Sequence, residues 1–217
     1  MQIMSVNIGK KQTLQIGKNE VETGIFKTPA TGPVEITSAG VGSDEIADLR
    51  VHGGTDQAAY LYGGVDYAWW AAQLGGELEP GTFGENLTIV GLESAPMNIG
   101  DRFRIGTALL EATAPRIPCS KLATKMGDPG FVKRFSEARR PGVYCRVIEP
   151  GTVQAGDEVE LIPFAGDTIS IQDFFDISLD SNRTEGDIQR VLAAPVAARD
   201  RAYFEDQLQK LQRETQG

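Results

Sequence analysis

The sequence predicts a mainly β chain with α insertions: a closed or partly closed barrel over residues 1–163, followed by a small three-helix segment over residues 164–217. Three observations carry that expectation. Up to Pro163 the apolar runs are short and punctuated by glycine and proline, the spacing of strands and tight turns. Beyond Pro163 the apolar residues recur at helical spacing. A length of 217 residues suits one body of about 150 residues with a smaller appendage.

Strands are expected at Gln2–Asn7, Val34–Thr37, Ala58–Tyr62, Asn86–Ile89, Arg102–Ile105, Leu109–Thr113, Val143–Ile148 and Glu158–Ile162. Ile99-Gly-Asp-Arg-Phe-Arg-Ile105 and Ala155-Gly-Asp-Glu-Val-Glu-Leu161 share a pattern, Gly-Asp ahead of alternating apolar positions. A turn pair feeding a half-buried strand explains both without a functional repeat. Helices are expected at Asp66–Leu74, where Trp69 and Trp70 read as packing residues, at Ser120–Met126, and at Gly130–Ala138 with Phe131 and Phe135 one turn apart. In the C-terminal segment Ser170-Ile-Gln-Asp173 and Thr184-Glu-Gly-Asp187 have capping-box spacing, and a third helix runs from Ala197 to Gln212. These three helices are expected to pack on one another or on a second copy of the chain as a homodimer.

A net charge of −9 opposes non-specific attraction to nucleic acid or to an anionic membrane. Any anionic ligand must therefore meet a local basic patch. The opening MQIMSVNIGK lacks a basic region followed by an apolar run, and no stretch of about 18 apolar residues occurs, which points to a cytoplasmic protein. Two cysteines and one histidine are too few for a four-ligand structural zinc site, and in a reducing cytosol Cys119 and Cys145 are expected as thiols. Neither the dinucleotide fingerprint, the P-loop nor the nucleophile elbow is present.

Three stretches carry residue types suited to chemistry. In Pro115-Arg-Ile-Pro-Cys-Ser-Lys-Leu122 a cysteine stands behind two prolines and between Arg116 and Lys121. Positive neighbours and a following helix favour the thiolate, and Pro118 limits the directions from which the chain reaches Cys119. The same residue also reads as a small apolar cysteine at a strand end. Cys145, alternating within Val143-Tyr-Cys-Arg-Val-Ile148, has no activating neighbour and reads as a core thiol. In Val51-His-Gly-Gly-Thr-Asp56, His52 precedes Gly53 and Gly54, a pair that permits close backbone approach, and Asp56 is placed to orient the imidazole; a structural turn is the alternative. Pro80-Gly-Thr-Phe-Gly-Glu-Asn86 sets Phe83, Gly84, Glu85 and Asn86 just before a strand, either a backbone cradle for a ligand or a plain hairpin turn.

Taken in order, His52-Gly-Gly, Phe83-Gly-Glu-Asn86, Pro115-Arg-Ile-Pro-Cys-Ser-Lys121 and Arg140-Pro-Gly-Val-Tyr144 resemble the MOSC domain family over nearly the whole chain. The C-terminal helices resemble the three-helix extension of the branch linked to resistance against N-hydroxylated base analogues such as 6-hydroxylaminopurine. The resemblance implies a β-barrel-like fold and molybdenum cofactor (molybdopterin) chemistry, with Cys119 as the protein thiolate on molybdenum. A soft thiolate suits a sulfur-rich metal centre, and a single protein ligand leaves open positions. It further implies Arg116, Lys121 and one of Arg139 or Arg140 near the cofactor phosphate, and Gly53, Gly54, Phe83, Gly84 and Asn86 around the pterin. His52 or Glu85 would protonate the departing oxygen. Gln57 stands where that branch often has lysine.

The activity so implied is two-electron reduction of hydroxylamino purines or amidoximes. With no flavin, nicotinamide or iron–sulfur signature in the chain, electrons would come from a separate reductase. A persulfide sulfur carrier on Cys119, or a non-catalytic cofactor carrier, are the rival readings.

Overall fold

The computed structural model describes residues 1–47 and 53–216. In chain order these form β1 (Gln2–Gly9), β2 (Gln12–Ile16), β3 (Asn19–Thr23), β4 (Lys27–Pro29), β5 (Val34–Thr37), β6 (Gly40–Val41), a 3-10 turn (Thr55–Gln57), β7 (Ala59–Gly63), α1 (Gly64–Leu74), β8 (Leu87–Val90), β9 (Arg102–Ile105) and β10 (Ala108–Pro115). There follow α2 (Ser120–Lys125), α3 (Phe131–Ala138), β11 (Val143–Glu149), β12 (Gly151–Val153), β13 (Val159–Ile162), α4 (Ile171–Leu179), α5 (Glu185–Ala193) and α6 (Ala198–Gln216).

Eight strands make one mixed sheet in the order β13-β9-β10-β11-β7-β8-β1-β4. All neighbours are antiparallel except β7 and β8, which are parallel because α1 carries the chain back between them. Both β7 and β10 are buried at every position, which is why they read as continuous rather than alternating apolar runs. The sheet does not close into a full barrel. Strand β4 covers only Asn7–Gly9 of β1, leaving the first residues of β1 to meet the chain entering β13. A Gln2–Glu158 bridge and backbone hydrogen bonds from Ile3 N to Asp157 O, Gly156 N to Ile3 O and Val159 N to Met1 O, each 2.9 Å, draw the two flanks together.

The paired Gly-Asp stretches are equivalent turns. Asp101 N bonds Asn98 O and Asp157 N bonds Gln154 O, both at 3.2 Å, while each carboxylate accepts from the backbone N–H three residues earlier at 2.9 Å. The strands they feed, β9 and β13, pair with each other.

The C-terminal helices pack on the sheet and on one another. Ile171, Phe174, Ile177, Ile188, Val191 and Phe204 belong to the same buried cluster as Phe103, Leu110 and Cys145. Each such side chain contributes about 2 kcal/mol relative to exposure, which fixes the segment on the strands. Both hydroxyl residues cap as their spacing predicts, but only Thr184 and Asp187 make the reciprocal box. Ser170 Oγ accepts from Asp173 N at 3.0 Å, whereas the Asp173 carboxylate accepts from Arg190 instead. A second, aromatic cluster joins α1, α3 and residues 80–86: Phe83 stacks on Tyr62 with ring centroids 4.5 Å apart, and Trp70, fully buried, lies 5.9 Å from Phe135 and donates to Tyr62 Oη at 2.8 Å. Trp69 lies half-buried under Arg140. Among the described residues no helix is long and apolar enough to cross a membrane.

Candidate functional site

The cysteine stretch leaves the sheet at the end of β10 and turns into α2. Cys119 is the N-cap residue of α2, with φ −135° and ψ 166°, the extended geometry usual at that position. Its carbonyl accepts from Leu122 N and Ala123 N, its side chain is half-buried, and neither cysteine forms a disulfide. Arg116, three residues earlier, is 4% exposed. Its guanidinium lies 5.2 Å from the Tyr60 ring centroid and Nη1 donates to Phe83 O, while Nε is buried without a hydrogen-bond partner. Among the described residues no carboxylate pairs with it.

Both residues face one cleft of about 650 Å³ counted out to its mouth. Cys119, Arg116 and Lys121 meet there with Gly53 and Gln57, with Gly84 and Asn86, and with Lys27, Asp44, Tyr60 and Tyr144. Residues from three separate stretches of sequence therefore share one concavity. Gly84 has φ +77°, and a Cβ there would stand 2.8 Å from Ile25 Cγ1, so only glycine lets this loop lie against Ile25 in the cleft wall. Asn86 accepts from Tyr60 N at 3.1 Å and donates to Asp44 Oδ2 at 2.9 Å.

Sequence reasoning missed the opposite wall. Lys27 and Asp44 form an ion pair with side chains only 8% and 5% exposed, and Asp44 Oδ1 also accepts from Gly9 N at 2.7 Å. Burial lowers the Lys27 ammonium from its usual range, with Asp44 opposing the shift. Behind the cleft, burial brings Lys125 down to about 8; Glu85 opposes this and Arg116 adds to it. Lys125 Nζ donates to Ile25 O at 3.0 Å and Gly81 O at 2.6 Å, tying α2 to residues 80–86. No motif marked these residues, because Lys27, Asp44 and Lys125 stand apart in sequence from each other.

The lining holds three cations and two carboxylates. Asp44 is matched to Lys27, and Glu45 to Lys10 at 3.1 Å on the surface. Arg116 and Lys121 are left without a carboxylate among the described residues, Lys121 donating only to Glu22 O at 3.1 Å. This local positive excess sits in a chain of net charge −9.

Other expected site residues lie elsewhere. Phe83 is fully buried in the aromatic cluster. Glu85 is fully buried and does not line the cleft; its carboxylate accepts from Tyr67 Oη, Gly81 N, Phe83 N and Thr88 Oγ1. Arg140 pairs with Asp66 at 2.8 Å and Glu93 at 3.1 Å, and Arg139 with Asp176, both away from the cleft. Gly54 lines a neighbouring hollow. His52 lies outside the described residues, and the Asp56 carboxylate takes Ala198 N and Arg146. Cys145 is fully buried in β11, where burial pushes its thiol well up, as a core thiol requires.

The MOSC domain family matches residues 48–160. The chain belongs to this family. It is 37% identical over 191 residues to the uncharacterized protein YflK of Bacillus subtilis, covering 88% of this chain and 86% of that one. It is 32% identical over 164 residues to a protein of Gibberella moniliformis named reductase, 74% of this chain but 29% of that one. The crystal structure of YiiM from Geobacillus stearothermophilus superposes with a TM-score of 0.78 at 29% identity, covering 95% of this chain and 98% of that one. This MOSC protein shares the helical C-terminal extension with that neighbour, since the match runs through both parts.

Proposed function

We propose that the cleft binds a molybdenum cofactor through Cys119 and that the protein reduces N-hydroxylated compounds, with electrons supplied by a separate reductase. One observation carries the reading: a thiol, a buried guanidinium with an unpartnered Nε and no carboxylate, and two glycine-bearing loops converge on one open cleft. The donor set fits the group. Sulfur is the soft ligand that molybdenum prefers, and Arg116 with Lys121 supplies the charge that a phosphate requires. Membership of the MOSC family and similarity to a protein named reductase support reductive chemistry.

When bound, the molybdenum centre supplies the two-electron exchange that removes oxygen from nitrogen. Each turnover consumes two electrons and two protons, breaks the N–O bond and releases water and the amine. The chain's own residues hold and orient. Cys119 presents its sulfur from a fixed helix cap, Arg116 Nε and Lys121 Nζ meet anionic oxygens, and Tyr60 and Tyr144, with rings 4.9 Å apart, form an apolar wall that limits water. Glu85 organises residues 81–88 from behind the cleft, and Lys27 is the ammonium on its far wall.

Metal analysis of protein made in a cofactor-producing host tests the reading. Wild type should retain molybdenum and reduce benzamidoxime when a reductase is supplied, and Cys119→Ala should lose the metal. Equal molybdenum in both proteins would sink the thiolate role. A persulfide on Cys119 without molybdenum would favour the sulfur carrier.

A further inference from the structure

The segment Gly53–Gln57 is a thin wall. Gly53 and Gln57 line the main cleft on one side, and with Gly54, Thr55 and Asp56 they line a second hollow of about 430 Å³, also counted out to its mouth, on the other, closed by Ala197 and Arg199. Between the two hollows the segment packs on β10 and β11. Its described anchors are few and converge on Asp56.

Asp56 Oδ2 accepts from Ala198 N, the first residue of α6, at 2.7 Å across a sequence separation of 142 residues. Asp56 Oδ1 lies 3.3 Å from Arg146 Nη1, and Arg146 Nη2 donates to Pro195 O and Val196 O at the entrance to α6. Thr113 closes the triangle: its Oγ1 donates to Asp56 O at 2.6 Å, and its carbonyl accepts from Ala197 N at 3.2 Å. A carboxylate on an orphan N–H at a helix start is a favourable cap, here supplied by the cleft wall itself.

We infer that Asp56 is a positioning residue through which the C-terminal helical segment holds the cleft wall Gly53–Gln57 in place for the ligand. The helical segment is on this account part of the site's scaffold. The inference builds on the cofactor reading for its effect on metal retention, but its geometric claim stands apart from it.

The test compares the full-length wild type with Asp56→Ala, Asp56→Asn and the control Asp187→Ala, which removes the α5 capping box remote from the cleft. Amide hydrogen exchange and molybdenum content are measured on each. Asp56→Ala should speed exchange about tenfold both at 53–57 and at 198–201, whereas Asp187→Ala, at a similar loss of melting temperature, should speed it only within α5. Asp56→Asn, which keeps an oxygen for Ala198 N, should fall between, and it carries the test if Asp56→Ala does not fold. Molybdenum retention should fall in the same order. Unchanged exchange at 53–57 in the Asp56 variants, or an equal rise there in Asp187→Ala, overturns the inference. If wild type itself holds no molybdenum, the cofactor reading fails, while the exchange data still decide the role of Asp56.

Discussion

Replacing Arg116 by methionine separates binding from stability. The side chain is 4% exposed, has no carboxylate among the described residues, and leaves Nε without a partner. Removing it costs the Tyr60 contact, about 1 kcal/mol, and strands Phe83 O, about 1–2 kcal/mol. It also relieves the desolvation of a lone buried guanidinium, a penalty of several kcal/mol, about 3 here. These terms cancel to within about 1 kcal/mol, and methionine fills a similar volume. A charge-assisted contact to an anionic ligand is worth about 2 kcal/mol, so affinity should fall about 30-fold. Urea unfolding of the metal-free protein and molybdenum content after dialysis give the two numbers. A stability loss above about 3 kcal/mol with molybdenum retained would refute the argument, because it would make Arg116 a structural keystone rather than a binding cation.

Two further outcomes follow from packing and protonation. Gly142 has φ +71°, and a Cβ there would stand 2.6 Å from Tyr60 Cε2 and from Tyr62 Cδ2, rings pinned by hydroxyl bonds of 2.7 Å to Pro141 O and Arg140 O. Gly142→Ala should cost about 3 kcal/mol in urea unfolding, from about 1 for the left-handed backbone and about 2 for overpacking. Gly17→Ala, with φ +60° but open space around it, should cost only the first of these, and equal losses would refute the packing account. Burial raises the Asp200 carboxyl to about 6 from an ordinary 3.8, with Arg199 opposing the shift and Asp56 adding to it. The folded chain then binds this proton more tightly than the unfolded chain, so the stability it contributes is present at acid pH and lost as pH rises through about 6. After discount for partial exposure, Asp200→Asn should be about 1 kcal/mol more stable than wild type at neutral pH and indistinguishable near pH 4 in thermal melts.

Much of the fold was legible because the informative residues act locally. Every strand expected from the sequence forms within a few residues of its expected bounds, since short apolar runs between glycine and proline are strands wherever the sheet lies. The β2–β3 hairpin was missed although Gly17-Lys18 marks its turn, because the apolar residues of its inner face, Leu14, Ile16 and Val21, are few and only half-buried. Of the closed and partly closed barrels that the pattern allowed, the second forms, since alternation says that a strand has two faces, not how far β4 covers β1. In the site, Cys119, Arg116, Lys121, Gly84 and Asn86 could be picked out by residue type and spacing. Lys27, Asp44 and Lys125 could not, because their roles arise only when β1, β4 and α2 meet.

Glu85 shows how a residue can support a cleft that it does not line. The motif Phe83-Gly-Glu-Asn86 reads as a ligand cradle with its acid pointed at substrate, yet the carboxylate turns inward to four donors of its own neighbourhood. From there it acts electrostatically: among the influences on Lys125 it is the largest that favours the charged ammonium, and it supports Lys27 as well. Burial works against both lysines, and Arg116 works against both in turn, as like charges in a low-dielectric wall must. A cleft that concentrates cations in an acidic protein therefore needs an interior counter-charge that substrate cannot reach or neutralise. Asp44 serves Lys27 directly, and Glu85 serves the group at a distance. The sequence separates these residues by as many as 98 positions, from Lys27 to Lys125, and only the packed loops make them one electrostatic unit.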